Sequence, residues 1–245
     1  MNLSLLILLP LLTAAGILLV RNAKQVRLVA LAGAAVQFVL AFVLLFAYYK
    51  ERSTGNTLQM LFEQQYNWFP SWHISFHLGV DGISVAMILL TAFVVIAGVL
   101  VSWNVTKMTK EFYFLLTFLS MGAYGFFISL DLFILFFFLE IAVIPKYLLI
   151  GIWGSGKKEY SANKLALMLM GGSALVLVGL LGIYFSNTLH TFDLLELSKL
   201  NIPIQTQMIC FPLLFVGFGV FTALFPFHTW VPDGHSSAPT AGSMF

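Results

Sequence analysis

The chain has 245 residues, of which 60% are hydrophobic and only 9% charged, and its mean hydropathy is +0.96. A soluble domain carries about 25% charged residues, so this composition excludes a water-soluble globule and points to a lipid bilayer as the natural solvent. A net charge of +2, with no basic patch interleaved with aromatics, speaks against nucleic acid. The single cysteine, Cys210, excludes a disulfide framework or a multi-cysteine metal site within the chain.

A helix needs roughly 20 apolar residues to cross a hydrocarbon core of about 30 Å. Continuous rather than alternating apolar runs favour helices over barrel strands. Spans are expected at 3–20, 28–48, 82–103, 111–129, 132–150, 164–186 and 207–226, with the start of an eighth near Ala238. The first run carries its basic residues, Arg21, Lys24 and Arg27, on its far side, so it is expected to stay as a span and not to be cleaved as a signal. Lys107 and Lys110 follow the third span, and Lys157 and Lys158 the fifth. With Lys and Arg gathered in the odd-numbered loops, those loops are expected in the cytoplasm and the N-terminus outside.

The second loop, 49–81, holds Tyr66, Trp68 and Trp72, which suit an interfacial aromatic belt. His73 and His77 stand four apart there. That spacing suits a metal on one helix face, but no third ligand is evident and a solvated or interfacial pair is favoured. Asp131, just before span five, reads as a helix-start residue favoured by the helix dipole.

Span five is the most informative. Glu140 lies near its middle, where a charge costs about 2.5–3.5 kcal/mol on insertion scales. Acids placed so deep usually mark ion or proton paths, and a cation nearby can tune them for exchange near neutral pH. Lys146 is six residues on, about 9 Å along the axis and roughly 120° around it. The two therefore do not share a face, and Pro145 between them withdraws one backbone donor. Lys146 either snorkels to the interface or belongs to the path. Lys164, at the start of span six, is explained by topology almost as well as by function. The glycines of "MGGSALVLVGLLG" in span six suit close helix packing.

The stretch "LFPFHTWVPDGHSSAPTAGS", 224–243, combines Pro226, Pro232 and Pro239 with His228, Asp233 and His235 and has no Lys or Arg. Such a stretch suits a helix broken inside the protein, where irregular backbone can line a wet cavity. Histidine changes charge nearest neutral pH, so His228 and His235 are candidates for a proton relay with Glu140; the plainer alternative is a proline-rich turn whose histidines cap helices. Phosphate-binding, dinucleotide-binding and zinc-protease motifs are not found.

"HLGVDGIS" (77–84), "FFFLEIAVIPKYLLIGIWG" (136–154), "TFDLLEL" (191–197) and "FPFHTWVPDGHSSAPTAGS" (225–243) together resemble the antiporter-like membrane subunits of respiratory complex I, most closely their subunit M (chain 4) branch. The resemblance implies an all-α polytopic fold built on inverted five-helix repeats, each with a discontinuous helix. Residues 1–110 would form the N-terminal helices with their external loop, and 111–245 the first repeat. It implies proton translocation through buried ionisable groups: Glu140 on the family's fifth-helix glutamate, His228 and His235 on the histidines after the broken helix. NADH, FMN, iron–sulfur clusters and quinone are expected on partner subunits, with no cofactor in this chain, and the partners are other complex I membrane subunits and lipid. A bacterial inner membrane is the expected location. Two departures stand out. Phe221 occupies the place of the family's seventh-helix lysine, and the chain is about half the family's length, as a fragment or truncated product would be. Lys146 or Lys164 is then the candidate to replace the missing cation. A multisubunit cation/proton antiporter, or a purely structural membrane piece, are the alternative functions.

Overall fold

The computed structural model describes residues 2–245. The apolar runs form helices in chain order: α1 (Leu5–Leu19), α2 (Ala23–Ser53), α3 (Gly82–Val101), α4 (Thr109–Ile128), α5 (Leu132–Trp153), α6 (Lys158–Ser186), the four-residue α7 (Leu194–Leu197), α8 (Ile204–Phe221), α9 (Trp230–Ser237) and α10 (Thr240–Met244). Six of them, α2–α6 and α8, are long and apolar enough to cross a membrane, and α1 is a shorter apolar helix of 15 residues.

Helix α2 starts five residues before the expected span because Asn22 caps it, its side chain accepting from Lys24 N at 3.0 Å. The seventh span ends early. Helix leaves off at Phe221 and resumes at Trp230 with the short α9, so the expected break falls across the proline-rich stretch, and the residues from Ala238, expected to begin an eighth span, form the short α10.

The second loop holds the main departure from helix. Strands β1 (Leu61–Phe69) and β2 (Ile74–Val80) pair antiparallel, with Tyr66 opposite Phe76 and Gln65 opposite His77. His73 and His77 therefore share no helix face. His73 sits in the turn at φ 47°, and His77 lies on β2, 6% exposed, where the sequence suggested a solvated or interfacial pair. Tyr66, Trp68 and Trp72 remain exposed on the hairpin, as a belt requires.

The odd-numbered loops meet at one end of the bundle. Arg27 there donates to Val105 O at 3.0 Å, and Lys107 and Lys158 both donate to Ile152 O. The hairpin and the α6–α7 loop meet at the other end: Leu130 N donates to His77 O at 2.8 Å, and Leu194 N to Leu130 O at 2.9 Å.

Without water between helices, packing rests on close approach. A Cβ on Gly172 of α6 would stand 2.9 Å from Val220 Cβ, and one on Gly217 of α8 would stand 2.8 Å from Gly172 O. The glycine-rich pattern of span six thus serves a backbone-to-backbone crossing. At the other side of the bundle, Pro10 offers no hydrogen to the Leu6 carbonyl one turn back. Gln37, 2% exposed on α2, supplies the missing donor through Nε2 at 3.0 Å.

Candidate functional site

Helix α5 carries Glu140 and Lys146 within its apolar span, and its own capping fixes where they sit. Asp131, fully buried, accepts from Phe133 N at 2.9 Å and Ile134 N at 3.1 Å, which anchors the first turn as the helix dipole favours. Phe138 then packs so tightly against α4 that a Cβ on Gly125 would stand 2.3 Å from its ring. With that face turned to α4, Glu140 points into a groove of about 780 Å³ between α5 and α6, together with Tyr147, Asn163 and Met170.

The Glu140 side chain is incompletely satisfied. The Ser173 hydroxyl of α6 lies beside its carboxyl, while Oε1 is buried without a hydrogen-bond partner. A buried polar atom left open in this way retains the capacity to take a proton or a water hydrogen. Close by, the Tyr147 hydroxyl donates to Asn163 Oδ1 at 3.2 Å, so the groove has a polar lining towards its basic end.

Lys146 lies on the other side of α5, as the six-residue spacing requires. It lines a separate cavity of about 250 Å³ against α4, whose wall also contains Phe221, Trp230 and Phe245. Its Nζ stands 5.7 Å from the centre of the Trp230 ring, within cation–π range. The Trp230 ring is in turn 6.4 Å from that of His235. Trp230 is locked in place, since its indole N–H donates to Val220 O at 2.9 Å. His235 Nδ1 contacts Ser243 O and Ser243 Oγ, each at 3.1 Å. The structure thus brings Lys146, Trp230 and His235 together.

Two other expected residues stand apart from that group. Lys164 binds Asp233 Oδ2 at 2.7 Å, and His228 is exposed, its ring stacked on Phe225 at 5.6 Å.

The sequence did not reveal a further titratable cluster at the hairpin end. His77 Nδ1 meets Asp193 Oδ2 at 2.5 Å, and its Nε2 lies 3.7 Å from Glu63 Oε2. Asp193 caps α7, accepting from Leu195 N and Glu196 N, and Asp131 also accepts from Ser75 N at 3.1 Å. The bond to Asp193 raises the His77 pKa above its ordinary value, against the opposing effect of burial. Burial alone would raise the Asp193 carboxyl, but His77 and the two N–H donors bring it below the usual carboxylate range. Burial pushes Asp131 up to about 6, opposed by its three N–H donors. The signal for this cluster was the "HLGVDG" and "TFDLL" runs, which set His77 and Asp193 among apolar neighbours. Among the described residues, no group of three or more His, Cys, Asp or Glu is arranged to hold a metal ion.

Comparison with known proteins agrees with this architecture. Residues 129–245 match the family described as NADH:quinone oxidoreductase/Mrp antiporter, transmembrane. The chain is 37% identical over 238 residues to NAD(P)H-quinone oxidoreductase chain 4-2 of Synechocystis sp., covering 96% of this chain and 42% of that protein. It is 38% identical over 188 residues to the chloroplastic NAD(P)H-quinone oxidoreductase chain 4 of Angiopteris evecta, covering 76% of this chain and 37% of that protein. The chain therefore spans less than half the length of these curated relatives. In fold it is similar to a chain of respiratory complex I from Thermus thermophilus (TM-score 0.85, 24% identity, 98% of this chain and 48% of that one). It is also similar to a chain of the Mrp complex from Dietzia sp. (TM-score 0.79, 19% identity, 98% of this chain and 26% of that one). By sequence, residues 129–245 fall in the NADH:quinone oxidoreductase/Mrp antiporter transmembrane family, and the likeness to the chain 4 proteins runs over nearly the whole chain.

Proposed function

We propose that the chain is the proton-translocating part of an NAD(P)H-quinone oxidoreductase membrane subunit of the chain 4 type. Electron transfer from the nicotinamide nucleotide to quinone takes place on partner subunits, which carry FMN and iron–sulfur clusters, and drives proton movement here. The observation that carries this reading is Glu140: a mid-helix carboxyl with one oxygen buried and unpaired, opening on a groove large enough for water. A group in that state gains and loses H⁺ as its surroundings change, which is what a buried-charge pump needs.

Residues 111–245 act as the first antiporter-like repeat, with 1–110 as its N-terminal support. The N-terminus faces outward and the odd loops the cytoplasm of a bacterial inner membrane. Lys146 takes over from the lysine that relatives place at Phe221. Support comes from geometry, since position 221 and the Lys146 side chain line the same cavity. The cation has moved from α8 to α5 while still facing the same space, with Trp230 and His235 completing that wall.

Glu140→Gln in the intact complex tests the reading. In inverted membrane vesicles, NADH-driven acidification is expected to fall at least about tenfold, the scale of one lost proton-transfer group, while the subunit still assembles. Normal acidification would overturn it, leaving the chain a structural piece of the membrane arm. The Mrp-like fold keeps a second reading open to measurement: sodium-dependent proton exchange without NADH oxidation would assign the chain to a cation/proton antiporter instead.

A further inference from the structure

Helix α9 is held between two neighbours, and the two sides do different work. On one side it meets α6. Ser161 and Lys164 are three residues apart on α6, and Asp233 and Ser237 four apart on α9, so each pair shares one helix face. The faces join residue to residue: Lys164 Nζ to Asp233 Oδ2 at 2.7 Å, and Ser161 Oγ to Ser237 Oγ at 2.8 Å in a buried contact. The loop before α6 adds a backbone tie, Ser155 N donating to Ser237 O at 2.8 Å. On its other side α9 presents Trp230 and His235 towards Lys146 of α5. Short helices such as α9, eight residues long, have little stability of their own and take their position from what they pack against.

We propose that Lys164 and Asp233 are positioning residues: their ion pair docks the broken helix α9 on α6 and so keeps Trp230 and His235 facing Lys146, while Lys164 itself stays protonated and relays no proton. This takes Lys164 out of contention as the replacement for the missing cation. It also gives a role to Asp233, which had none. The inference rests on the proton-path reading of the Lys146 face. The docking contact, however, can be measured independently of pumping.

The test uses the intact complex. Cysteines at 161 and 237 report docking through the rate at which they form a disulfide under mild oxidation, and inverted vesicles report NADH-driven acidification. Lys164→Met and Asp233→Asn are each expected to slow the cross-link and lower acidification by up to about fivefold, the range open to a partly exposed ion pair. Lys164→Arg keeps the pair but cannot release its proton at working pH, and it is expected to behave as the parent in both assays. The swap of Lys164→Asp with Asp233→Lys is expected to recover most of what either single change loses. If Lys164→Arg abolishes acidification with the cross-link rate unchanged, Lys164 is a proton carrier and the proposal fails. If Lys164→Met leaves the cross-link rate unchanged, the pair docks nothing and the proposal also fails. Loss of the broader reading looks different: Glu140→Gln would then pump normally, whatever the cross-link shows.

Discussion

The hairpin end and the middle of α5 use the same kinds of side chain to opposite ends. At the hairpin end, His77, Asp131 and Asp193 are buried and each is matched by partners: a histidine to a carboxylate, and each carboxylate to backbone N–H groups. In the middle of α5, Glu140 and Lys146 are only half-buried, yet Glu140 keeps a carboxyl oxygen with no partner and Lys146 meets a ring face. Burial alone therefore does not separate the structural charge from the working one. Satisfaction does: a fully bonded acid has nothing left to exchange, while an incompletely bonded one does.

That contrast can be broken by experiment, and the largest effect is expected at the hairpin end. Asp193→Ala leaves buried His77 without its partner and α7 without its cap. Breaking a buried pair in this way costs about 3–5 kcal/mol, so the assembled complex should melt earlier or assemble poorly. Any complex that does assemble should pump at the parent rate per molecule. A variant that assembles fully but no longer pumps would place His77 and Asp193 among the working groups.

Lys146→Met should do the reverse at a smaller scale. Assembly and melting stay near the parent, while acidification drops by about two- to tenfold, because the change removes a modulating cation and not the proton carrier. Unchanged acidification would mean that the cavity beside Phe221 has no part in tuning Glu140.

The smallest expected effect is in the pH dependence of stability. His77 has a raised folded pKa, so the stability it contributes is fully present below about 6.5 and is lost as pH rises through its higher folded value. Asp193, held low, contributes above its unfolded value near 3.8 and keeps doing so until pH falls below it. Asp131, raised to about 6, takes up a proton on folding between that value and 3.8, so it adds stability as pH falls through this window. His77 and Asp131 make the hairpin end firmer at pH 5.5 than at pH 8.5, by about 1 kcal/mol, while Asp193 contributes equally at both. Melting of the purified complex across this range checks the sign, and Asp193→Ala should flatten the slope.

Most of the helical scaffold was legible in the sequence because a bilayer demands long apolar runs, and those runs were unbroken. So was the separation of Glu140 and Lys146, which follows from six steps along a helix. The hairpin was not. In "LFEQQYNWF" only Leu61 is buried, and "ISFHLGV" is buried on both faces, so neither strand shows clean alternation. The pairing of His77 with Asp193 across 116 residues, and of Lys164 with Asp233 across 69, depends on which loops meet at which end of the bundle. No local pattern encodes that. Sequence order suggested that His228 and His235 would act together, yet His228, in the tight turn Phe227–Thr229 that leads into α9, is exposed while His235 faces Lys146.

The close crossing of α6 and α8 has a mechanical corollary. Where Gly172 and Gly217 meet, the two main chains come close, and the branched side chains of Val176 and Val220, with few rotamers to choose from, fill the rest of the seam. A shift of α8 at this seam is felt first by the facing backbone of α6, since neither chain has room to give there.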